Sequence, residues 1–271
     1  LIILESTSPV GTTEIIAKRI TEKNPDLKCN ICYCPERVLP GNIMQELVSN
    51  DRIVGGVDEK STTTGVKFLE NFVEGNIHST NSKTAELCKL VENSYRDTNI
   101  AFANEVSVIC DTYNIKDTEL IHLANMHPRV NILTPGIGVG GHCIAVDPWF
   151  IVSEAPNDTK IIRTAREVNN NKTKWVIEKI EEKLKSMKRE NYETKISFLG
   201  LSFKPNIDDL RESPAVEIAK YFSEKYLLKC VEPNINEHEY FQLTSLEESL
   251  EESDLLVCLV KHDFFIDRRN D

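Results

Sequence analysis

The sequence of 271 residues predicts an α/β protein in which two sheet-bearing ends are joined by a helical middle. Two observations predict this fold class. At both ends of the chain, short apolar runs alternate with segments of helical spacing, which is typical of parallel strands joined by crossover helices. Between these ends, residues 83–112 contain no Gly or Pro and carry apolar residues at helical spacing. At about 100–200 residues per domain, the length alone favours about two domains.

The first segment alternates strands with helices. Leu1 to Leu4 is an apolar run of the kind expected for a buried strand, and Val66, Leu69 and Phe72 show the spacing of one helix face. The predicted strands cover residues 1–5, 30–34, 52–57 and 76–79, and the predicted helices cover residues 12–22 and 61–73.

The middle segment is predicted to be helical. Residues 83–112 form one long helix or two contiguous ones, and a shorter helix covers 117–125. A glycine-rich loop over 135–141 follows, and further helices cover about 159–188.

Strand and helix alternation returns after a polar linker at 188–191. Ser213 and Pro214 predict an N-cap and first turn for a helix over 213–225, because serine accepts from free amides there and proline needs no donor. The predicted strands are 196–199, 229–231 and 254–260. We therefore expect three domains, covering residues 1–79, 80–190 and 191–271.

Composition excludes several classes of protein. The 32 Lys and Arg residues against 43 Asp and Glu give a net charge of −11, which argues against a nucleic-acid partner. The sequence contains no run of about 18 apolar residues, so it predicts no membrane-spanning helix. The eight cysteines lie mostly in apolar periodic segments without a secretory signal, so we expect reduced thiols and a cytoplasmic protein.

Metal binding is a weaker interpretation of the cysteines. Cys29, Cys32 and Cys34 include a CxxC spacing, but no second CxxC follows and the stretch alternates like a strand. His142, Cys143 and Asp147 are too crowded for a zinc site without a fourth ligand. We expect no metal.

The glycine-rich loop leads to a candidate nucleophile. Residues 136–141 satisfy GxGxxG letter by letter, but no strand precedes them and no clear helix opens from them, so we reject a dinucleotide fingerprint. Cys143 follows the glycines directly, and Asp147 lies four residues further on. A thiolate presented there could attack a carbonyl while the carboxylate activates water. The bare pattern slightly favours the alternative, a glycine-rich turn with a packed cysteine.

Two further groups of residues could bind or stabilise charge. Lys89 and Asn93 lie one turn apart on the same face of the long helix, where they could hold a developing oxyanion or form a solvated face. Lys204 and Arg211 lie between a predicted strand and a helix N-terminus, which is a common place for phosphate binding. A surface loop with salt bridges is the alternative there.

Five ordered motifs carry a family resemblance almost from end to end. They are Glu5-Ser6-Thr7-Ser8-Pro9-Val10-Gly11-Thr12, Cys34-Pro35-Glu36-Arg37-Val38-Leu39-Pro40-Gly41, Ala85-Glu86-Leu87-Cys88-Lys89 with Asn93, Gly140-Gly141-His142-Cys143-Ile144 with Asp147-Pro148, and Phe203-Lys204-Pro205 with Asp209 and Arg211-Glu212-Ser213-Pro214. The sequence thereby resembles the UDP-glucose/GDP-mannose dehydrogenase family. Its variants of the second and fourth motifs look most like those of members that oxidise UDP-N-acetyl-D-mannosamine.

This resemblance implies a fold of two Rossmann-like domains, with the first truncated, joined by a central helical domain. It also implies a homodimer through the central helices and an NAD-dependent double oxidation at C6 of the sugar. Cys143 would be the nucleophile that forms a thiohemiacetal and then a thioester with the sugar. Cysteine suits this role because its thiolate both adds to a carbonyl group and leaves from a thioester.

The resemblance assigns the remaining roles residue by residue. Lys89 and Asn93 would stabilise oxyanions, and Asp147 and Glu36 would manage water and protons. The other implied roles are cofactor binding by Ser6, Thr7 and Arg211 and substrate binding by Lys204, Arg37, Gly140 and Gly141.

The sequence departs from the family pattern at its ends. It lacks the glycine-rich dinucleotide loop and the acidic residue that holds the adenosine ribose, so we expect a fragment that binds NAD poorly alone. The alternatives are a UDP-N-acetylglucosamine 6-dehydrogenase and a catalytically silent nucleotide-sugar-binding or dimerisation module.

Overall fold

A computed structural model describes residues 1–38, 42–189 and 192–267. Contacts divide the chain into two compact units, the first formed by Leu1–Tyr95 and Asp147–Thr159 and the second by Arg96–Val146 and Lys160–Asp271. The predicted domain boundaries stay predictions. Residues 39–41 of the second motif and residues 190–191 of the predicted linker lie outside the described residues.

Helices and strands follow the predicted order along the chain. They are β1 (Ile2–Leu4), α1 (Thr12–Lys23), β2 (Ile31–Tyr33), α2 (Ile43–Ser49), β3 (Arg52–Gly56), α3 (Glu59–Leu69), β4 (Ile77–Asn81), α4 (Ser82–Thr112), α5 (Asp117–Ala124), α6 (Asp147–Glu154), α7 (Lys160–Ser186), β5 (Lys195–Leu199), α8 (Pro214–Ser223), β6 (Leu227–Val231), α9 (Leu246–Glu252), β7 (Leu255–Cys258) and α10 (Asp263–Asp267). The segment over 83–112 is one continuous helix, α4.

The first unit is built on a sheet of strand order β1-β2-β3-β4. β1 pairs with β2 and β3 pairs with β4 in parallel, as predicted. The β2–β3 pairing differs, because it is antiparallel with Cys32 opposite Gly56. An antiparallel pair forms when the connection returns from the edge at which the first strand ended, without a crossover along the sheet. A small apolar core of Cys32, Cys34, Val54 and Leu69 fills one side of this sheet.

The second unit contains a parallel sheet of strand order β6-β5-β7. Its core buries the apolar side chains of β5 and α8 against α7, with Phe198 and Phe222 in an edge-to-face contact at 5.5 Å. At the start of α8, the Ser213 hydroxyl accepts from the Ala215 amide, which confirms the predicted cap.

The sequence missed the short helices α2, α6, α9 and α10. They have seven, eight, seven and five residues, which gives at most about two turns for a periodic pattern to show. One of them, α6, starts at Asp147, a predicted site residue.

The described residues lack two features, a membrane-spanning helix and a metal-binding group of side chains. None of the helices there combines the length and apolar character that a bilayer crossing needs. In the same part of the chain, no group of three or more His, Cys, Asp or Glu side chains is placed to hold a metal ion. Cys32 and Cys34 are buried in the core of the first unit.

Candidate active site

Asp147 lies among polar side chains of the first unit. Its carboxylate is buried and accepts a hydrogen bond of 2.5 Å from Asn93 Nδ2 on α4. Thr7 also hydrogen-bonds this carboxylate, and Lys89 acts on it through its positive charge. We call Thr7, Lys89, Asn93 and Asp147 the Asp147 cluster.

The electrostatics of the cluster favour a proton-accepting role for its carboxylate. Burial raises the pKa of Asp147, and the Asn93 hydrogen bond, the Lys89 charge and the Thr7 hydrogen bond oppose that rise. A carboxylate with a raised pKa is a better base than an exposed one, so it can take a proton from a hydroxyl group or from water. The structure thus brings Lys89, Asn93 and Asp147 together and adds Thr7, which the resemblance assigned to the cofactor.

Glu36 is joined to the cluster through its backbone. Lys89 Nζ donates to the Glu36 carbonyl oxygen at 2.8 Å. The Glu36 carboxylate accepts from the Val38 amide in its own turn. The neighbouring Arg37 forms a salt bridge of 2.8 Å to Glu92 on α4. In this conformation Lys89 therefore holds the segment after β2 in place.

Glu86 is a buried charge to which the sequence assigned no role. Its carboxylate accepts from the Gly11 amide at 2.5 Å, the Thr13 amide at 2.7 Å and the Thr13 hydroxyl at 2.6 Å. These bonds place a negative charge on the N-terminus of α1, where the free amides and the helix dipole stabilise it. Glu86 thereby holds the start of α1 beside the segment that carries Ser6 and Thr7.

The loop that carries Cys143 is held by the second unit. The Gly136 amide donates to Asn104 Oδ1 at 2.8 Å, and the Thr173 hydroxyl donates to the Ile137 carbonyl at 3.0 Å. The Gly141 amide donates to the Arg211 carbonyl at 3.0 Å. We call residues 135–143 the cysteine loop. Cys143 itself is exposed.

Two glycines of the cysteine loop have no substitute among other residues. A Cβ atom at Gly140 would lie 2.3 Å from the Glu212 carbonyl oxygen, so only glycine lets these two backbones meet. Gly141 has a φ of 81°, a left-handed conformation that side chains disfavour. These glycines thus allow the cysteine loop to pack closely against residues 203–214. Their contact with the substrate stays a prediction.

Arg211 and Lys204 lie in the segment that receives the cysteine loop. The Arg211 guanidinium pairs with Asp209 at 2.6 Å, and its hydrogen bonds hold the pKa of Asp209 below its ordinary value. Cys143 is among the groups that act electrostatically on Arg211. Lys204 Nζ lies 5.9 Å from the Phe203 ring centroid.

The sequence also missed a buried pair that shapes the segment around Lys204. The Glu232 carboxylate accepts from the Leu201 amide at 2.7 Å and lies 3.1 Å from His262 Nε2. His262 Nδ1 accepts from the Asn206 amide at 2.9 Å. These contacts lie just beyond the carboxyl ends of β5, β6 and β7, the edge at which open α/β sheets bind nucleotides.

Comparison with known proteins identifies the family. Three models match: the NAD binding domain over residues 1–73, the central domain over 83–171 and the UDP binding domain over 197–269. The chain belongs to the UDP-glucose/GDP-mannose dehydrogenase family.

The similar members of the UDP-glucose/GDP-mannose dehydrogenase family include enzymes of three organisms. The UDP-N-acetyl-D-mannosamine dehydrogenase of Campylobacter jejuni is 51% identical, over 100% of this chain and 70% of that protein. The enzyme of the same name from Escherichia coli (strain K12) is also 51% identical, over 98% of this chain and 68% of that protein. The structure of the UDP-D-ManNAc dehydrogenase of Pyrococcus horikoshii is 39% identical with a TM-score of 0.92, over 99% of this chain and 64% of that chain.

Membership of the UDP-glucose/GDP-mannose dehydrogenase family confirms the resemblance and the α/β fold class. At the level of the family it also confirms NAD as the cofactor and UDP-sugar dehydrogenase as the class of enzyme. This chain spans about two thirds of the length of these relatives. The roles of individual site residues stay predictions.

Proposed function

We propose that the whole protein oxidises C6 of UDP-N-acetyl-D-mannosamine to the uronate. The names of the Campylobacter and Escherichia relatives support this sugar. The observation that carries the reaction class is the exposed Cys143 at the end of a loop held in place by three hydrogen bonds. An exposed thiol on a fixed backbone is suited to attack on a carbonyl carbon.

The proposed reaction has four steps. C6 loses a hydride and its hydroxyl group loses a proton, which gives an aldehyde. The Cys143 sulfur adds to the aldehyde carbon while the thiol proton passes to the oxygen, which gives a thiohemiacetal. Loss of a second hydride and a proton gives a thioester. Water then adds, the carbon–sulfur bond breaks and the thiol is restored, so one sugar, two NAD⁺ and one water give one uronate, two NADH and three protons.

NAD, when bound, accepts both hydrides. Ser6 and Thr7 lie two and three residues beyond the end of β1, which pairs in parallel with β2, and the carboxyl ends of such strands are where α/β sheets bind nucleotides. The residues at this edge therefore fit a nucleotide cofactor. Arg211 is proposed as a further cofactor contact, on the resemblance and on its exposed guanidinium.

The first unit would supply the groups that handle protons and charge. Asp147 is proposed as the base, because burial raises its pKa and Asn93 fixes its orientation. Lys89 and Asn93 carry the N–H donors that would stabilise an oxyanion. Glu36 would assist with water once its carboxylate leaves the Val38 amide.

The substrate contacts are proposed on the resemblance and on position. Lys204 lies in the segment that the UDP binding domain model covers, close to the strand edge shaped by Glu232 and His262. Arg37, Gly140 and Gly141 complete the proposed set.

The proposal is tested by counting NADH formed per sugar in the whole protein. With limiting UDP-N-acetyl-D-mannosamine and excess NAD, we expect two NADH for each sugar. One NADH would mean that oxidation stops at the aldehyde, which contradicts the thioester step. Turnover of UDP-N-acetylglucosamine instead would keep the mechanism and overturn the substrate, and no turnover of either sugar would favour a silent binding module.

A homodimer through the central helices is part of the proposal. Exposed apolar side chains recur along α4: Leu87, Val91, Tyr95, Phe102 and Ile109. A row of this kind favours a protein partner over solvent. We expect Phe102→Glu to shift the sedimentation coefficient from dimer to monomer, whereas Ile15→Glu on exposed α1 leaves it unchanged. A wild-type monomer at micromolar concentration would contradict this part.

A further inference from the structure

A line of buried polar side chains runs from an ion pair to the cysteine loop within the second unit. Asp97 and Asn104 lie seven residues apart on α4, and Arg166 and Asn169 lie on α7. All four side chains are buried, with relative exposures of 0%, 0%, 2% and 1% respectively. Buried polar groups of this kind are expensive unless each finds a partner, so their arrangement needs an explanation.

Each hydrogen bond in this line donates toward the Asp97 carboxylate. The Gly136 amide donates to Asn104 Oδ1 at 2.8 Å, and Asn104 Nδ2 donates to Asn169 Oδ1 at 2.9 Å. Asn169 Nδ2 then donates to Asp97 Oδ1 at 2.8 Å, and Arg166 Nη1 donates to the same oxygen at 2.6 Å. The line therefore starts at a loop amide and ends at a carboxylate.

Charge fixes the orientation of both asparagine amides. A carboxylate only accepts, so Asn169 must turn its NH₂ group toward Asp97 and its oxygen toward Asn104. Asn104 must then donate to Asn169, which leaves its own oxygen for the Gly136 amide. Hydrogen bonds in series that end on an ion polarise one another, so each strengthens the next.

We propose that Asn104 and Asn169 are positioning residues that set the backbone of the cysteine loop for the reaction of Cys143. The second anchor supports this, because the Thr173 hydroxyl on α7 donates to the carbonyl oxygen of the next residue, Ile137, at 3.0 Å. Two successive residues, Gly136 and Ile137, are thus fixed seven and six residues before Cys143. The inference rests on the proposed function for its catalytic part, and on geometry alone for the order of the loop.

The test combines hydrogen exchange with kinetics on Asn104→Ala and Asn169→Ala. We expect exchange of the amides over 136–141 to rise about tenfold in both variants, while the amides of α8 stay as in the wild type. In the whole protein, kcat should fall about 10- to 100-fold with the KM for the UDP sugar within threefold, since loss of position slows chemistry more than binding. The double variant should be no worse than either single one, because both interrupt the same line.

The control is the Asn170→Ala variant. Asn170 follows Asn169 in sequence, is exposed and accepts a hydrogen bond from Arg166 Nη2 at 2.7 Å. This variant should leave both loop exchange and kcat close to the wild type. Unchanged loop exchange in Asn104→Ala would overturn the proposal, and so would faster exchange spread equally over α4, α7 and α8. Faster loop exchange with unchanged kcat would overturn the role toward Cys143. A wild-type protein without turnover would instead refute the proposed function, while the exchange result still decides whether the line holds the loop.

Discussion

Cys143→Ala is expected to lower uronate formation by at least about 10³-fold. The reason is that the second oxidation needs a carbon already bonded to sulfur, and alanine offers no atom that can form that bond or leave from it. Such a loss corresponds to about 4 kcal/mol of transition-state stabilisation. The measurement is uronate formed from the UDP sugar with excess NAD, together with the number of NADH per sugar, which should not exceed one.

A matched control comes from the same unit. Cys258 is also exposed, and it ends β7 in the second sheet. Cys258→Ala should retain wild-type uronate formation, which would show that loss of a thiol as such has no effect. Binding of the UDP sugar to Cys143→Ala, followed by calorimetry, should stay within threefold of the wild type. Full uronate formation by Cys143→Ala would refute the covalent mechanism.

Arg166→Met is expected to destabilise the protein by about 3–5 kcal/mol. Arg166 pairs with Asp97 at 2.6 Å, and both side chains are almost fully buried. Methionine fills most of the volume but leaves the Asp97 carboxylate without its counterion in a site that water does not reach. Urea unfolding measures the loss. Arg96→Met is the control, because Arg96 is exposed beside Asp97 on α4 and should change stability by less than about 0.5 kcal/mol.

The destabilisation should depend on pH in a defined direction. Burial raises the pKa of Asp97, and Arg166 opposes this rise. Without Arg166 that pKa rises further, so native Asp97 takes up a proton at a pH where the unfolded chain does not. Stability then increases as pH falls through the native pKa. The deficit of Arg166→Met should therefore be smaller at pH 5 than at pH 7, and a deficit independent of pH would contradict the charge argument.

Removing both charges separates the cost of an unpaired charge from lost packing. The double variant with Asp97→Asn and Arg166→Met has no buried ion at this position, and asparagine still accepts from Asn169. We expect it to regain more than half of the stability lost in the single variant, because a neutral replacement of a buried pair is often tolerated. A double variant as unstable as Arg166→Met would assign the loss to packing.

Much of the fold could be predicted because its signals are local. The alternation of strands and helices predicted a strand at each described strand position, including β4 with its single apolar residue, and helical spacing predicted the long helix α4. The helices predicted over 159–188 form one helix, α7. The cap of α8 followed from Ser213 and Pro214, since capping involves residues adjacent in sequence. Short helices such as α6 were not predicted, because eight residues contain too few turns to show a helical period. The antiparallel direction of the β2–β3 pair was not predicted either, because hydrophobic periodicity does not show which way a connection runs.

The sequence by itself determined the family, the α/β class and the candidate nucleophile, because ordered motifs and a cysteine after a glycine loop are visible in one dimension. Tertiary structure alone decided which partners the buried charges take. Glu86 accepts from Thr13 in the first turn of α1 across 73 residues, and Asn93 donates to Asp147 across 54 residues. Such pairings depend on how elements pack, and packing joins residues that no local pattern connects.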